Sequence, residues 1–357
     1  MEKRSLRSAS SRPVAIWVSI GVVMLLVQVI LGGITRLTGS GLSITEWDFF
    51  TGTLPPLSQQ QWLNEYHKYT QTPQFHLLNP DFSLHDFKFI FFWEWFHRFW
   101  ARLVGIVFII GFVYLAIKRR FRPEMIRPLL ILFIMGGLQG AIGWVMVKSG
   151  LTGDAIYVQP TKLALHFIFA MGLIACTMWF ALQLLVPTGE ILTNTSLHRL
   201  TATIILLLFF QLLFGALMAG YKAASVASTW PTINGDWIPQ NLFKDSPTLL
   251  NFINNKITIQ FVHRGLAYLI SIFVLIWSIK ISAVTQSPGL LRRTRYFPIL
   301  AVFIQILLGI CTVLTSTQIV AGHWGMFESI ALIHQLTGML FFLLMICMLY
   351  LLRPERR

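Results

Sequence analysis

Residues 88–117, KFIFFWEWFHRFWARLVGIVFIIGFVYLAI, are almost continuously apolar, yet Glu94, His97, Arg98 and Arg102 fall together in their first half. A hydrocarbon core of about 30 Å takes roughly 20 apolar residues of helix, so this stretch predicts a membrane-crossing helix. Ionisable side chains inside such a helix are costly, and function is the default reason for keeping them. The phrase recurs later in the chain. WFHRFWARL (95–103) matches FVHRGLAYL (261–269), and LALHFIFAM (163–171) matches ALIHQLTGM (331–339). His97, His166, His263 and His334 each lie about eight residues in from the same end of their stretch, roughly 12 Å deep at helical rise. One intramembrane histidine is more often a satisfied packing residue than a ligand. Four at one depth, in two repeated pairs, ask for another explanation.

Outward from these residues the chain reads as eight such stretches: 14–35, 88–117, 126–147, 158–186, 198–220, 256–280, 295–316 and 327–352. With 55% hydrophobic and 12% charged residues and a mean hydropathy of +0.67, a soluble fold of 357 residues could not hide the apolar surface. The short alternating segments of a membrane barrel are not seen. Every odd stretch carries Gln-x-x-x-Gly: Gln28 before Gly32 in VQVILGG, Gln139 before Gly143 in LQGAIG, Gln211 before Gly215 in FQLLFGA, and Gln305 before Gly309 in IQILLGI. Every even stretch carries the histidine. The fold expected is therefore an all-α polytopic membrane protein, its eight transmembrane helices arranged as two tandem parallel four-helix bundles. Residues 1–190 form one half and 191–357 the other, related by an axis along the membrane normal. Gln and Gly four apart share a helix face. Two readings of that face stand: close helix packing with Gln bonding across the interface, or room left for a flat, bulky ligand.

The net charge of +14 is distributed as a topology signal. Bases cluster at Lys3, Arg4, Arg7 and Arg12, at Lys118–Arg127, at Arg292, Arg293 and Arg295, and at Arg353, Arg356 and Arg357. Loop 37–87 has only Lys68 against Glu46, Asp48, Glu65, Asp81 and Asp86. By the positive-inside rule both termini are cytoplasmic or matrix-facing, and the basic loops meet anionic lipid, not nucleic acid. Cys176, Cys311 and Cys347 all fall inside apolar stretches, which excludes a disulfide framework in the outer loops. Only about a dozen residues precede the first span, short for a transit peptide, which favours a bacterial plasma membrane. Trp47, Trp62, Trp230 and Trp237 in the long outer loops suit an interfacial belt, and the loops themselves suit lids over the outer mouths.

Neutral imidazoles on neighbouring helices at one level can grip a metal from opposite sides. A compact zinc or copper site would need more converging ligands than the spans offer. Two histidines per four-helix unit fit a haem with two axial histidines. Arg98 and Arg264, each directly after a histidine, are candidates to pair haem propionates, with Arg36, Arg102 and Lys148 as further ones. The symmetry breaks at Glu94, three residues before His97, where the second copy has Gln260. Positions three apart share a face, so chemistry is assigned to the first half and a static or electron-relaying cofactor to the second.

TRLTGSGLSITEW (35–47), FKFIFFWEWFHR (87–98), LALHF (163–167) and FVHRG (261–265), in that order along essentially the whole chain, resemble the haem A synthase family, in the form without cysteine pairs in its outer loops. The sequence departs from relatives at Asp48-Phe49, where a proline is usual, and in the looser AGYKAAS (219–225). The resemblance implies oxidation of the C8 methyl of haem O to a formyl group, giving haem A for a terminal oxidase. It places substrate haem O between His97 and His166 and haem b between His263 and His334, with Glu94 beside the reacting carbon as a proton acceptor or a stabiliser of positive charge. It also implies an electron-transfer partner, and haem O synthase or oxidase-assembly proteins as neighbours in the membrane. A di-haem b-type quinone oxidoreductase without chemistry on haem is the alternative, and a haem carrier a third reading.

Overall fold

The computed structural model describes residues 11–46, 54–240, 242–319 and 324–354. Lys3, Arg4, Arg7, Trp47, Asp48, Phe49, Arg356 and Arg357 lie outside the described residues. Among the described residues, eight helices are long and apolar enough to cross a membrane. They are α1 (Arg12–Leu37), α2 (Leu84–Ile117), α3 (Pro123–Lys148), α4 (Pro160–Leu185), α5 (Thr195–Gly220), α6 (Lys256–Ser282), α7 (Phe297–Thr315) and α8 (Met326–Leu351). Among the described residues, extended pairing is limited to one isolated bridge, Ile233 to Asp236. The helix starts are written locally. Proline occupies the first turn of α1, α3, α4 and α7, where its missing N–H costs nothing. Asn194 and Asn255 cap α5 and α6 through their side chains.

Helix α2 begins at Leu84, a turn earlier than hydropathy alone marks. Ser83 and Asp86 close a capping box there, and Phe87, fully buried, packs under the short helices Gln59–Thr70 and Pro73–Leu78 with Tyr69, Phe75 and Trp62. The helix extends beyond the apolar run at this end, where Leu84 and Phe87 are covered by protein. Burial pushes the Tyr69 hydroxyl up to about 12, so it stays protonated while Asn79 Nδ2 donates to it at 2.7 Å. Gln74 Nε2 ties this cap to the loop after α1, donating to the Gly39 carbonyl at 3.2 Å.

Helices α1, α4, α5 and α8 form the middle of the molecule, and α2, α3, α6 and α7 its flanks. In the first half α1 packs on α2 and α4, and α3 on α4. In the second half α5 packs on α6 and α8, and α7 on α8. Across the middle, α4 meets α5 and α8, and α1 meets α8. The main apolar core lies along that centre, around Val274, Trp277, Phe341, Met345 and Tyr350. At one end of the bundle Leu192 N–H donates to the Leu351 carbonyl at 2.8 Å, and Leu290 N–H donates to Glu190 Oε2 at 2.7 Å. The connections 186–194 and 283–296 therefore meet at the end where α8 finishes. At the other end Lys222 Nζ donates to the Tyr157 hydroxyl at 2.6 Å, and Ser316 Oγ to the Ala224 carbonyl at 3.1 Å.

Trp277 is fully buried and donates from Nε1 to Thr201 Oγ1 at 2.8 Å. Trp277→Ala should cost about 3–5 kcal/mol and Thr201→Ala about 1 kcal/mol. The order is checked by the thermal midpoints of the detergent-solubilised variants.

Candidate functional site

The Gln-x-x-x-Gly pattern and the histidines belong to one device, repeated four times. Each glycine faces the imidazole of the next helix in sequence. A Cβ on Gly32 would lie 3.2 Å from His97 Nε2; on Gly143, 2.8 Å from His166 Cε1; on Gly215, 3.2 Å from His263 Cε1; and on Gly309, 3.1 Å from His334 Cε1. Each glutamine, one turn away on the same face, reaches the same histidine. Gln28 Nε2 donates to the His97 carbonyl at 3.2 Å, Gln139 Nε2 to the His166 carbonyl at 3.2 Å, and Gln305 Nε2 to the His334 carbonyl at 3.0 Å. Gln211 Nε2 lies 3.4 Å from His263 Nε2. The glutamines thus bond across the interface as the packing reading holds. The glycines make room, but for the imidazole itself. The clue available in the sequence was the strict alternation of the two motifs along eight helices.

All four histidines line one apolar cavity of about 1590 Å³, larger than the roughly 300–1,000 Å³ of most small-molecule sites. The His263 and His334 rings have centroids 6.5 Å apart and planes at 81°. Two imidazoles holding one metal from opposite sides, at about 2.0–2.1 Å each, place their centroids roughly 6 Å apart. Both Nδ1 atoms are buried without a hydrogen-bond partner among the described residues. Among those residues no three His, Cys, Asp or Glu side chains converge, so pairs suit a metal that arrives with its other ligands. These residues fit haem iron.

Glu94, 2% exposed, sits at the rim of the first pair, on the side of the loop after α1. Its Oε2 accepts from Ser43 N–H at 2.7 Å, Ser43 Oγ at 2.7 Å and Ile44 N–H at 3.0 Å, and its Oε1 from Arg98 Nη2 at 2.5 Å. Every partner donates, the pattern of an ionised carboxylate. The expectation of a costly lone acid is thus answered by the loop TRLTGSGLSITEW, whose Ser43 and Ile44 were not singled out from sequence. Arg98 donates from Nη2 to Glu94 Oε1 and to the Ile44 carbonyl, and its side chain also lines the cavity.

The second rim has the opposite polarity. Gln260 Nε2 donates to the Ala227 carbonyl at 2.9 Å. Arg264 donates to the carbonyls of Thr232 at 3.1 Å, Ala227 at 3.2 Å and Thr229 at 2.8 Å. Arg36 and Arg102 both line the cavity. Arg36 stands at the end of α1, within electrostatic reach of buried Glu328 on α8. Lys148 lies over the Trp144 ring at 5.1 Å, at the outer end of α3. Of the aromatic residues read as a belt or lid, Trp62 packs edge-on against Phe91 at 5.1 Å, Trp230 lines the cavity mouth, and Trp237 is exposed.

Compared with known proteins, residues 15–347 match the family model described as cytochrome oxidase assembly protein. A heme A synthase of Parvibaculum lavamentivorans is 41% identical over 309 residues, covering 86% of this chain and 87% of that protein. The heme A synthase of Paracoccus denitrificans is 37% identical, covering 93% and 86%. That of Flavobacterium johnsoniae is 38% identical, covering 94% and 95%. With its histidine pairs, its glycine seats and a family match that runs nearly from end to end, the chain belongs to the cytochrome oxidase assembly protein family, alongside relatives named heme A synthase.

Proposed function

We propose that this chain is a multi-pass membrane oxidoreductase that converts haem O to haem A, oxidising the C8 methyl to a formyl group. Substrate haem O is held between His97 and His166, and a resident haem b between His263 and His334. The observation that carries this division is the difference between the two rims. Three residues before its histidine the first has a buried carboxylate, held by four donors, on the face that also carries His97. The second has an amide at that place, bonded to the loop backbone. When bound, haem b supplies one-electron chemistry. The chain supplies orientation and charge. A carboxylate fixed in advance stabilises positive charge appearing at the reacting carbon, or accepts a proton there, without reorganising. Arg98 and Ser43 position Glu94, and Arg36 offers a cation at the cavity wall for a substrate carboxylate.

Two four-helix halves, 1–190 and 191–357, are the units of this division, supported by the matching neighbour pattern of their helices. We place the termini on the cytoplasmic side of a bacterial inner membrane. Arg119, Arg120, Arg292, Arg293 and Arg353 lie at the end where α8 finishes, while Glu46, Glu65 and Asp81 lie at the other. An electron-transfer partner is needed to carry away the electrons, and a haem O source must lie in the same membrane.

Glu94→Gln should keep both haems and lower conversion of haem O by about 10²–10³-fold, the scale for removing one preorganised electrostatic group. Gln260→Ala should stay within a few-fold of the unaltered protein. Pyridine haemochrome spectra of membranes supplied with haem O read both, and equal losses at the two positions would count against the assignment.

Gly143→Val and Gly309→Val should each displace one imidazole and abolish low-spin bis-histidine absorption at one site only. Haem-to-protein ratio and the optical spectrum of the purified variants check this.

A further inference from the structure

The two copies differ in a second place that the chemistry above does not use. Aligned on Gln139 with Gln305 and on Gly143 with Gly309, the stretch IMGGLQGAIG (134–143) of α3 corresponds to LAVFIQILLG (300–309) of α7. Gly136 corresponds to Val302 and Gly140 to Ile306. On the partner helices, aligned on His97 and His263, Gly105 corresponds to Ser271. In the second half Val302 is buried in the main core, Ile306 packs against it, and α6 packs along α7. In the first half α2 and α3 make little direct contact. A Cβ built on Gly105, Gly136, Gly137 or Gly140 meets nothing within 4 Å. Gly105, Gly136, Gly137 and Gly140 are all exposed, and all line the same cavity as His97 and His166.

The first half therefore has a slot between α2 and α3 that opens sideways towards lipid. It starts beneath the histidine pair and runs inward for about 12 Å, judged from the eight residues between His97 and Gly105. Phe108 and Phe133, stacked at 6.2 Å, lie beyond it. The cavity is polar at its outer end, where Arg36, Glu94, Arg98 and Lys222 line it, and apolar towards the slot. His97, enclosed by the helices, opens its imidazole onto the same cavity and has no hydrogen-bond partner for the ring among the described residues. A ligand held here is wanted at the ring and has space on one side only. Its carboxylates belong at the outer rim and its apolar appendage in the slot.

We propose that the α2–α3 slot seats the prenyl chain of the substrate haem, and that Gly105, Gly136 and Gly140 keep it open. The proposal rests on the reading that His97 and His166 hold the substrate. It makes the first site selective for a prenylated haem through volume, and the second site selective against one, because Val302 and Ile306 fill the corresponding space.

The test brings the second half's residues into the first, in the full-length protein. The double variant Gly136→Val/Gly140→Ile and, from the opposite wall, Gly105→Leu are purified and titrated with haem B and with haem O. Each is made in a background with His263→Ala and His334→Ala so that only the first site reports, and conversion is measured without those two changes. Retention of haem O should fall at least tenfold, with haem B retained at the first site as in the parent, and conversion should fall with haem O retention. Haem O held and converted at the parent level by the filled variants overturns the proposal. So does an equal loss of haem B and haem O in both variants. If the parent itself holds no haem O at His97 and His166, it is the underlying assignment of the substrate site that fails.

Discussion

Everything in this bundle depends on a glycine on one helix lying against an imidazole on the next. Helices pack at 8–10 Å between axes, and a five-membered ring standing in that gap collides with any facing Cβ. Gly32, Gly143, Gly215 and Gly309 remove that atom at the four places where a histidine points inward. The glutamine one turn along the same face then bonds the histidine's own helix, at its carbonyl in three of the four cases. Hydrogen bonds between helices in lipid contribute about 0.6–2 kcal/mol each. That is modest energy but strong registration. A slip of one residue would break the bond and bring a side chain into the ring, so depth and orientation of each imidazole are set together.

On that common frame the two copies diverge at their rims where Glu94 of one stands at the place of Gln260 in the other. With Glu94 there, the adjoining loop turns its amides inward at Ser43 and Ile44, and Arg98 closes the ion pair. With Gln260 there, the loop turns carbonyls inward at Ala227, Thr229 and Thr232, and Arg264 donates to all three. A buried ion pair with all its lone pairs engaged is tolerable, whereas the same carboxylate without its donors would be very costly. The loop and the acid are therefore one unit, and the loop conformation follows from the charge it has to meet.

Much of this was legible in the residues. Eight spans, the alternation of motifs and the four-histidine pattern rest on hydropathy and spacing, which report directly on burial and helix face. The asymmetry of Glu94 against Gln260 was legible for the same reason, as a difference within an aligned repeat. What the sequence could not supply was direction. Arg98 follows a histidine and reads as a partner for an anionic ligand, and only the folded loop shows that it also pairs with Glu94. The glycines read as generic small residues, because nothing in a single helix says what stands opposite. The start of α2 at Leu84 has no hydropathy signal, since Leu84 and Phe87 pack against residues 62–75, a tertiary contact with no periodic signature.

The placement of the helices also gives the proposed substrate site and the proposed cofactor site unequal surroundings. Each histidine pair takes one member from a central helix, α4 or α8, and one from a flank, α2 or α6. The central helices pack on each other and on α1 and α5, and they include the most buried segments of the molecule, whereas α2 and α3 are the least buried. Motion of α2 against α3 would open the first pair without disturbing the common core. The same motion in the second half would have to part α6 from α7 and expose Val302 and its neighbours. A site that must admit one molecule and release another at every turnover belongs beside the loose pair of helices. A cofactor that stays belongs beside the tight pair, and the bundle has one of each.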